Sequence, residues 1–337
     1  MKESHTAKNK TNSLEEFITM KKLISKIISA VLVVALMLSL TACGKKVENG
    51  SVIIDVKLTV AFYDENGEAT EYQIFAKLYE NFAPETIAKI VSKIQNGDYN
   101  GTCISNVKSS YAQFGDYTLN ADGSLNAKDQ GGYIKGEFYK TGWSGNTLSA
   151  NPGALVLLHD DKAGKDANGN VVSKYDTAKG TIAISFSASS FDAESYCVFG
   201  KLCDDDGNAN SDDEMLKKSS YGKMYTLINR ISEENGRRVY YCVSDDTVAT
   251  SDDEVLADGE PREYNWANKY FTYLSYDEEM SYVEGIFASE AEAKAAGKAP
   301  LTEDELADLQ EKMSENPNAF YNLPVMSVVI KTVEIVK

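Results

Sequence analysis

Arginine is nearly missing from this chain: of 337 residues only Arg230, Arg237, Arg238 and Arg262 are arginine. A site assembled from the first 229 residues therefore has no guanidinium, the permanently charged, forked donor best suited to a carbonyl or carboxylate oxygen. Histidine is equally scarce, with His5 and His159 alone, and a lone histidine without partners is a poor basis for a metal centre or a general base. Positive charge is outnumbered overall, 34 Lys and Arg against 51 Asp and Glu, for a net charge of −17. That surface disfavours nucleic acid and anionic headgroups as partners. No segment resembles a phosphate-binding loop, a dinucleotide fingerprint or a nucleophile elbow, so no cofactor or metal is expected.

With 43% hydrophobic and 10% aromatic residues the chain can bury a full core, so it is read as globular. From Met20 it reads Met-Lys-Lys-Leu-Ile-Ser-Lys, then an apolar run from Ile27 to Leu40, then Thr41-Ala42-Cys43. A basic start, an apolar run of this length and small residues before a cleavage point form an export signal over residues 1–42. Residues 1–19 lack an apolar period and precede the better start at Met20. The cysteine placed here resembles the bacterial lipobox, which implies lipidation at Cys43, a flexible tether over 43–51, and attachment to the outer face of a bacterial cell membrane. The competing reading is a retained membrane helix over Leu23 to Leu40, which approaches spanning length. Removing residues 1–42, with their excess of three positive charges, takes the remainder from −17 to −20.

Beyond the tether, Val52 to Tyr63 reads as a strand with alternation from Val56 onward, Asp64-Glu65-Asn66-Gly67 supplies hairpin-turn chemistry, and Glu71 to Leu78 is a second strand. Pro84 opens a helix whose Ile87, Ile90, Val91 and Ile94 recur at helical spacing, and Gly97 ends it.

Four phrases then carry a resemblance. Leu78-Tyr79-Glu80-Asn81-Phe82-Ala83-Pro84-Glu85-Thr86, Gly97-Asp98-Tyr99-Asn100-Gly101-Thr102, Gly132-Tyr133-Ile134-Lys135-Gly136-Glu137-Phe138 and Tyr196-Cys197-Val198-Phe199-Gly200-Lys201-Leu202 occur in the order of the matching cyclophilin segments. The strand Val325 to Val336 is similar to that family's closing strand. The resemblance covers 52–232 and 323–337 and implies a mainly β fold: an eight-stranded antiparallel barrel with two capping helices. It also implies peptidyl-prolyl isomerase activity on proline-containing unfolded or exported polypeptides. Residues 233–322 are an insertion expected to form an α-containing accessory subdomain. They hold an acidic stretch (Ser244 to Glu260), an aromatic run (Tyr264 to Tyr282) and two helices, the second marked by the capping box Thr302 and Glu305.

Prolyl isomerisation crosses a barrier of about 18–20 kcal/mol, and the family lowers it with an arginine beside an apolar proline pocket. The resemblance puts Asn106 at that arginine's position. It keeps an aromatic ring at Tyr111 and gives the neighbouring glutamine's place to Gln113 or, in a straight alignment, to Phe114. Leu158 stands where the family has a small alanine and His159 forms a groove wall. Thr181 replaces a glutamine, Ala183 the pocket phenylalanine, and Phe191 and Tyr196 complete the groove. The implied protein is an isomerase-family lipoprotein with weakened catalysis. Its rivals are a noncatalytic peptide-binding or scaffold lipoprotein and a solute-binding lipoprotein.

Two acidic runs miss the EF-hand pattern: Asp204 to Asn210 has Ala209 and Met215 where glycine and glutamate are required, and Asp166 to Asn170 lacks the closing acid. They read as solvated turns. Cys103, Cys197, Cys203 and Cys242 form no dense disulfide framework and read as buried thiols.

Overall fold

The computed structural model describes residues 52–63, 67–203, 219–229, 241–244, 269–277, 279–315, 317, 320–324 and 327–336. The export signal, Cys43, the tether, the Asp204 to Asn210 run and all four arginines lie outside the described residues.

Alternation of apolar and polar residues builds the first hairpin. Strand β1 (Ile53–Tyr63) turns Val56, Leu58, Val60 and Phe62 inward, and β2 (Ala69–Tyr79) does the same with Ile74, Ala76 and Leu78. The two pair without a break from Ile53↔Tyr79 to Tyr63↔Ala69, and Gly67 takes the left-handed φ of 76° that the turn requires. The later strands are β3 (Thr102–Val107), β4 (Tyr111–Leu119), β5 (Leu125–Ala127), β6 (Ala154–Leu157), β7 (Gly164–Lys165), β8 (Val171–Val172), β9 (Ile182–Ser185), β10 (Cys197–Leu202) and the closing β15 (Val328–Val336).

Antiparallel pairing runs β3-β15-β1-β2-β10-β6-β9-β4 and returns from β4 to β3, so eight strands close a barrel and β5 extends β4. Closure removes the unpaired edges an open sheet would expose. β7 and β8 form a separate small hairpin. Its turn is organised by Asp166, whose carboxylate accepts from the backbone N–H groups of Asn168 and Asn170 and from the Asn170 side chain.

Two helices add to the barrel's interior cluster. Helix α1 (Pro84–Asn96) contributes Ile87, Ile90 and Ile94, and α2 (Ser220–Asn229) contributes Met224, Leu227 and Ile228. Burying each such side chain is worth about 1.5–3 kcal/mol. α1 has no side-chain cap from its own Ala83; Gly97 at φ 74° ends it. Its first N–H groups are satisfied from far along the chain: the buried Glu137 carboxylate accepts from Glu85 N at 3.0 Å and Thr86 N at 2.7 Å.

A second antiparallel sheet consists of β11 (Tyr241–Ser244), β12 (Tyr270–Tyr276), β13 (Glu279–Glu284) and β14 (Phe320–Leu323), ordered β13-β12-β11-β14; its last residue, Leu323, lies one past the 233–322 insertion. The aromatic run forms the β12–β13 hairpin at one side of this sheet, with Tyr273 and Tyr282 facing across the strands at 4.8 Å. Helices α3 (Glu290–Ala295) and α4 (Glu303–Glu315) accompany it. Thr302 and Glu305 bond reciprocally at the start of α4, and Leu309 and Met313 pack on Phe271 and Phe320. No described helix is long and apolar enough to cross a membrane.

Candidate functional site

Strand pairing draws one row of residues across the outside of the barrel. Asn106 on β3 stands opposite Gln113 on β4, Gln113 opposite Ala183 on β9, Ala183 opposite Val156 on β6, and Val156 opposite Val198 on β10. Register partners share a face, and their sequence neighbours Phe114, Ile182, Ile184, Leu155, Leu157 and Phe199 belong to the interior cluster. The row is therefore the outer face. Phe114 points inward against Tyr99, ring centroids 6.1 Å apart, which corrects the straight alignment and leaves Gln113 beside Asn106. The cause is a bulge: the register of β3 against β4 shifts between Ile104 and Asn106, with Ser105 as the extra residue.

The row has an apolar half and a polar half. Ala150, Ala154, Val156, Ala183, Phe191 and Val198 form a second cluster outside the barrel, with Tyr111, Leu148, Leu158 and Tyr196 packed on it. Ala183 and Val156 have no exposed surface. Aromatic rings border them in a connected series. Tyr111 lies 5.1 Å from Phe191, Phe191 lies 5.2 Å from Tyr196, and Tyr196 stacks on His159 at 4.6 Å and 15°. His159 in turn neighbours the buried Phe138, and its two ring nitrogens meet the carbonyls of Asp160 and Ser195, so it serves as a packed wall. Burial, with the charge of Asp161 adding to it, raises the Tyr196 hydroxyl above its ordinary range and pushes that of Tyr111 up to about 12. Both are neutral hydrogen-bonding groups at physiological pH. Thr181, two residues before Ala183, bonds the Gln130 side chain at 3.1 Å, and its carbonyl accepts from Leu158 N.

In the polar half the groups bond to one another. Asp116 accepts from Ser105 Oγ at 2.6 Å and Gln113 Nε2 at 2.7 Å, and burial raises its carboxyl pKa although those bonds oppose the rise. Asn106 Nδ2 donates to Gln113 Oε1 at 3.4 Å, while Asn106 Oδ1 accepts the backbone N–H of Asn322 in β14 at 3.1 Å. Asn106 and Gln113 are each only 6% exposed. The side chain at the row's end is a neutral amide whose oxygen and one N–H are bonded within the chain. The described residues contain no arginine. Ser105, Asp116 and Asn322 were not singled out from sequence. A carboxylate within the apolar strand Tyr111–Leu119 was the available signal for Asp116; Asn322 had none, being 216 residues from Asn106.

Other reactive groups are sequestered. Cys103, Cys197 and Cys203 are buried, and burial pushes the thiols of the first two up to about 12. A cavity of about 10 Å³ near the end of α1, lined by Lys93, Asp98, Tyr99, Gly115 and Gly180 among others, has room for a single water and lies off the row.

No family model matches this chain, and no curated protein matches it. Among solved structures, it is similar to a cyclophilin type peptidyl-prolyl cis-trans isomerase of Cryptosporidium parvum crystallised in the presence of the dipeptide Ala-Pro. Identity is 18%, with 44% of this chain and 78% of that chain covered and a TM-score of 0.30. A second crystal structure of that isomerase gives 18% identity, 45% and 79% coverage and a TM-score of 0.30. The structural neighbours are thus cyclophilin-type isomerases, while the closed eight-stranded ring of this chain stands on its own strand pairings.

Proposed function

We propose that this chain is a cyclophilin-type lipoprotein, anchored through Cys43 outside the cytoplasm, that engages proline-containing exported polypeptides on the ring-lined outer face and isomerises them weakly or not at all. Four phrases in family order support the kinship, and a closed barrel with two helices agrees with it. The aromatic series over a floor of Ala183 and Val156 offers the apolar, partly polar-tipped surface that suits a proline ring.

The observation that carries the reading on catalysis is Asn106. Twisting a prolyl amide shifts electron density between its nitrogen and oxygen, and preorganised positive charge stabilises that change. Where the resemblance calls for arginine, the chain has a neutral amide that is 6% exposed and bonded at both ends. Losing one such preorganised donor lowers rates about 100- to 1,000-fold. In a protease-coupled assay with an Ala-Ala-Pro-Phe substrate, turnover is expected to fall at least about a hundredfold below that of ordinary cyclophilins. Turnover equal to theirs would remove the weak-catalysis reading. Undetectable turnover with retained peptide binding would select the noncatalytic alternative, which the double bonding of Asn106 favours.

The anchor is tested separately. Cys43→Ser removes the acceptor of the lipid, so the exported protein is expected to move from the membrane pellet to the soluble fraction. Unchanged pelleting would favour a retained helix.

A further inference from the structure

The accessory sheet meets the barrel where the outer face is polar. Three consecutive residues of β14 make the contact. The Asn322 N–H donates to Asn106 Oδ1 at 3.1 Å. Tyr321 sets its ring edge-on to Tyr117 of β4, with centroids 5.3 Å apart and planes at 69°. Leu323 is buried with Leu125 of β5, Tyr270 and Ile286. Ile286 also reaches the barrel at Gly123, where a Cβ would stand 3.4 Å from it.

A barrel side chain therefore already holds the backbone N–H of an extended segment, the kind of main-chain contact by which extended peptides are recognised. Flanking side chains of that segment fill both an aromatic and an aliphatic position on the barrel. The segment belongs to the chain itself. Resting on the peptide-binding reading above, we propose that β14 is the resident ligand of the polar half of this face: an intramolecular strand that excludes extended polypeptides from Asn106 and Gln113. The ring-lined half around Tyr111 and Tyr196 stays open to a proline ring, while the residues flanking that proline, even in a short segment, reach Asn106 and Gln113 only when β14 leaves.

The test uses the full chain, its Tyr321→Ala/Leu323→Ala variant and fluorescein-labelled Ala-Ala-Pro-Phe as the probe. Hydrogen exchange reports release of β14 at residues 320–323 and integrity of the barrel at β1 and β2; fluorescence anisotropy reports binding. The expected result is faster exchange at 320–323, unchanged exchange in β1 and β2, and affinity raised tenfold or more. Measurable but unchanged affinity in a chain whose β14 is released would overturn the proposal and leave the peptide-binding reading standing. No binding by either chain, with β14 released, would remove that reading and the proposal with it. Should the double variant lose barrel protection, the wild-type chain decides. Saturating probe accelerates exchange at 320–323 if β14 is displaced, and unchanged or slower exchange there overturns the proposal.

Discussion

Phe199→Ala is expected to destabilise the chain by about 4 kcal/mol, within the 3–5 kcal/mol found for truncating buried phenylalanines. Phe199 has no exposed surface and belongs to the interior cluster, on β10 between β2 and β6. The void left by its ring cannot readily close, because β10 already lies as near β2 as backbones allow. A Cβ on the adjacent Gly200 would meet the Lys77 carbonyl oxygen at 2.6 Å and Leu78 Cδ2 at 2.9 Å. That close approach is why glycine is required there. Urea unfolding measures the effect as a lower midpoint with an unchanged slope. A loss below about 1.5 kcal/mol would show that the ring fills no closed core, since even partly relaxed sites lose more. Peptide binding should weaken as well, because neighbouring Val198 belongs to the outer apolar cluster.

Glu137→Ala is expected to cost about 3 kcal/mol, the sum of two hydrogen bonds to a charged acceptor and a favourable helix-dipole contact, discounted for relaxation. The carboxylate is 3% exposed and bonds the Glu85 and Thr86 N–H groups, and Thr86 is fully buried, so water cannot easily replace it. Glu137→Gln keeps one acceptor oxygen and should lose about half as much. Calorimetry of the three chains checks the ranking. Equal stability of Glu137→Ala and wild type would show that the start of α1 is satisfied in another way.

These two positions differ in how visible they are from sequence. Phe199 and Gly200 sit in a phrase that resembles a known one, and their roles, a large core ring and a close backbone approach, follow from residue type. Glu137 stands in another such phrase, yet nothing local shows that it caps a helix 51 residues earlier. The same division runs through the site. Asn106, Tyr111, Ala183, Phe191 and Tyr196 are placed by aligning the stretches between and within the phrases, and pairing and ring contacts join them on one face. Gln113 and Phe114 remained alternatives because the bulge at Ser105 moves the register of β3 by one residue, and in a strand a one-residue slip exchanges the inner and outer faces. Thr181 was placed in the groove by alignment; its hydroxyl bonds the side chain of Gln130, 51 residues earlier, a partner that no local pattern pointed to.

The insertion shows the contrast most strongly. Its second helix was legible from Thr302, Glu305 and the spacing of Leu309 and Met313, because capping and helical periodicity are interactions over three or four residues. Its four-stranded sheet was visible only as an aromatic run, since pairing of β11 with β14 joins Tyr241 to Leu323 across the whole insertion.

What the chain's order of residues determined alone was local: alternating strands, a helix opened by Pro84 and closed by Gly97, and a neutral side chain at position 106 with no arginine before residue 230. What tertiary structure decided was the company that side chain keeps. Asn106 is covered and bonded because β14, more than two hundred residues later, returns beside β3. Contacts of that separation depend on the closure of the whole barrel and the docking of a second sheet, and no short-range pattern encodes them.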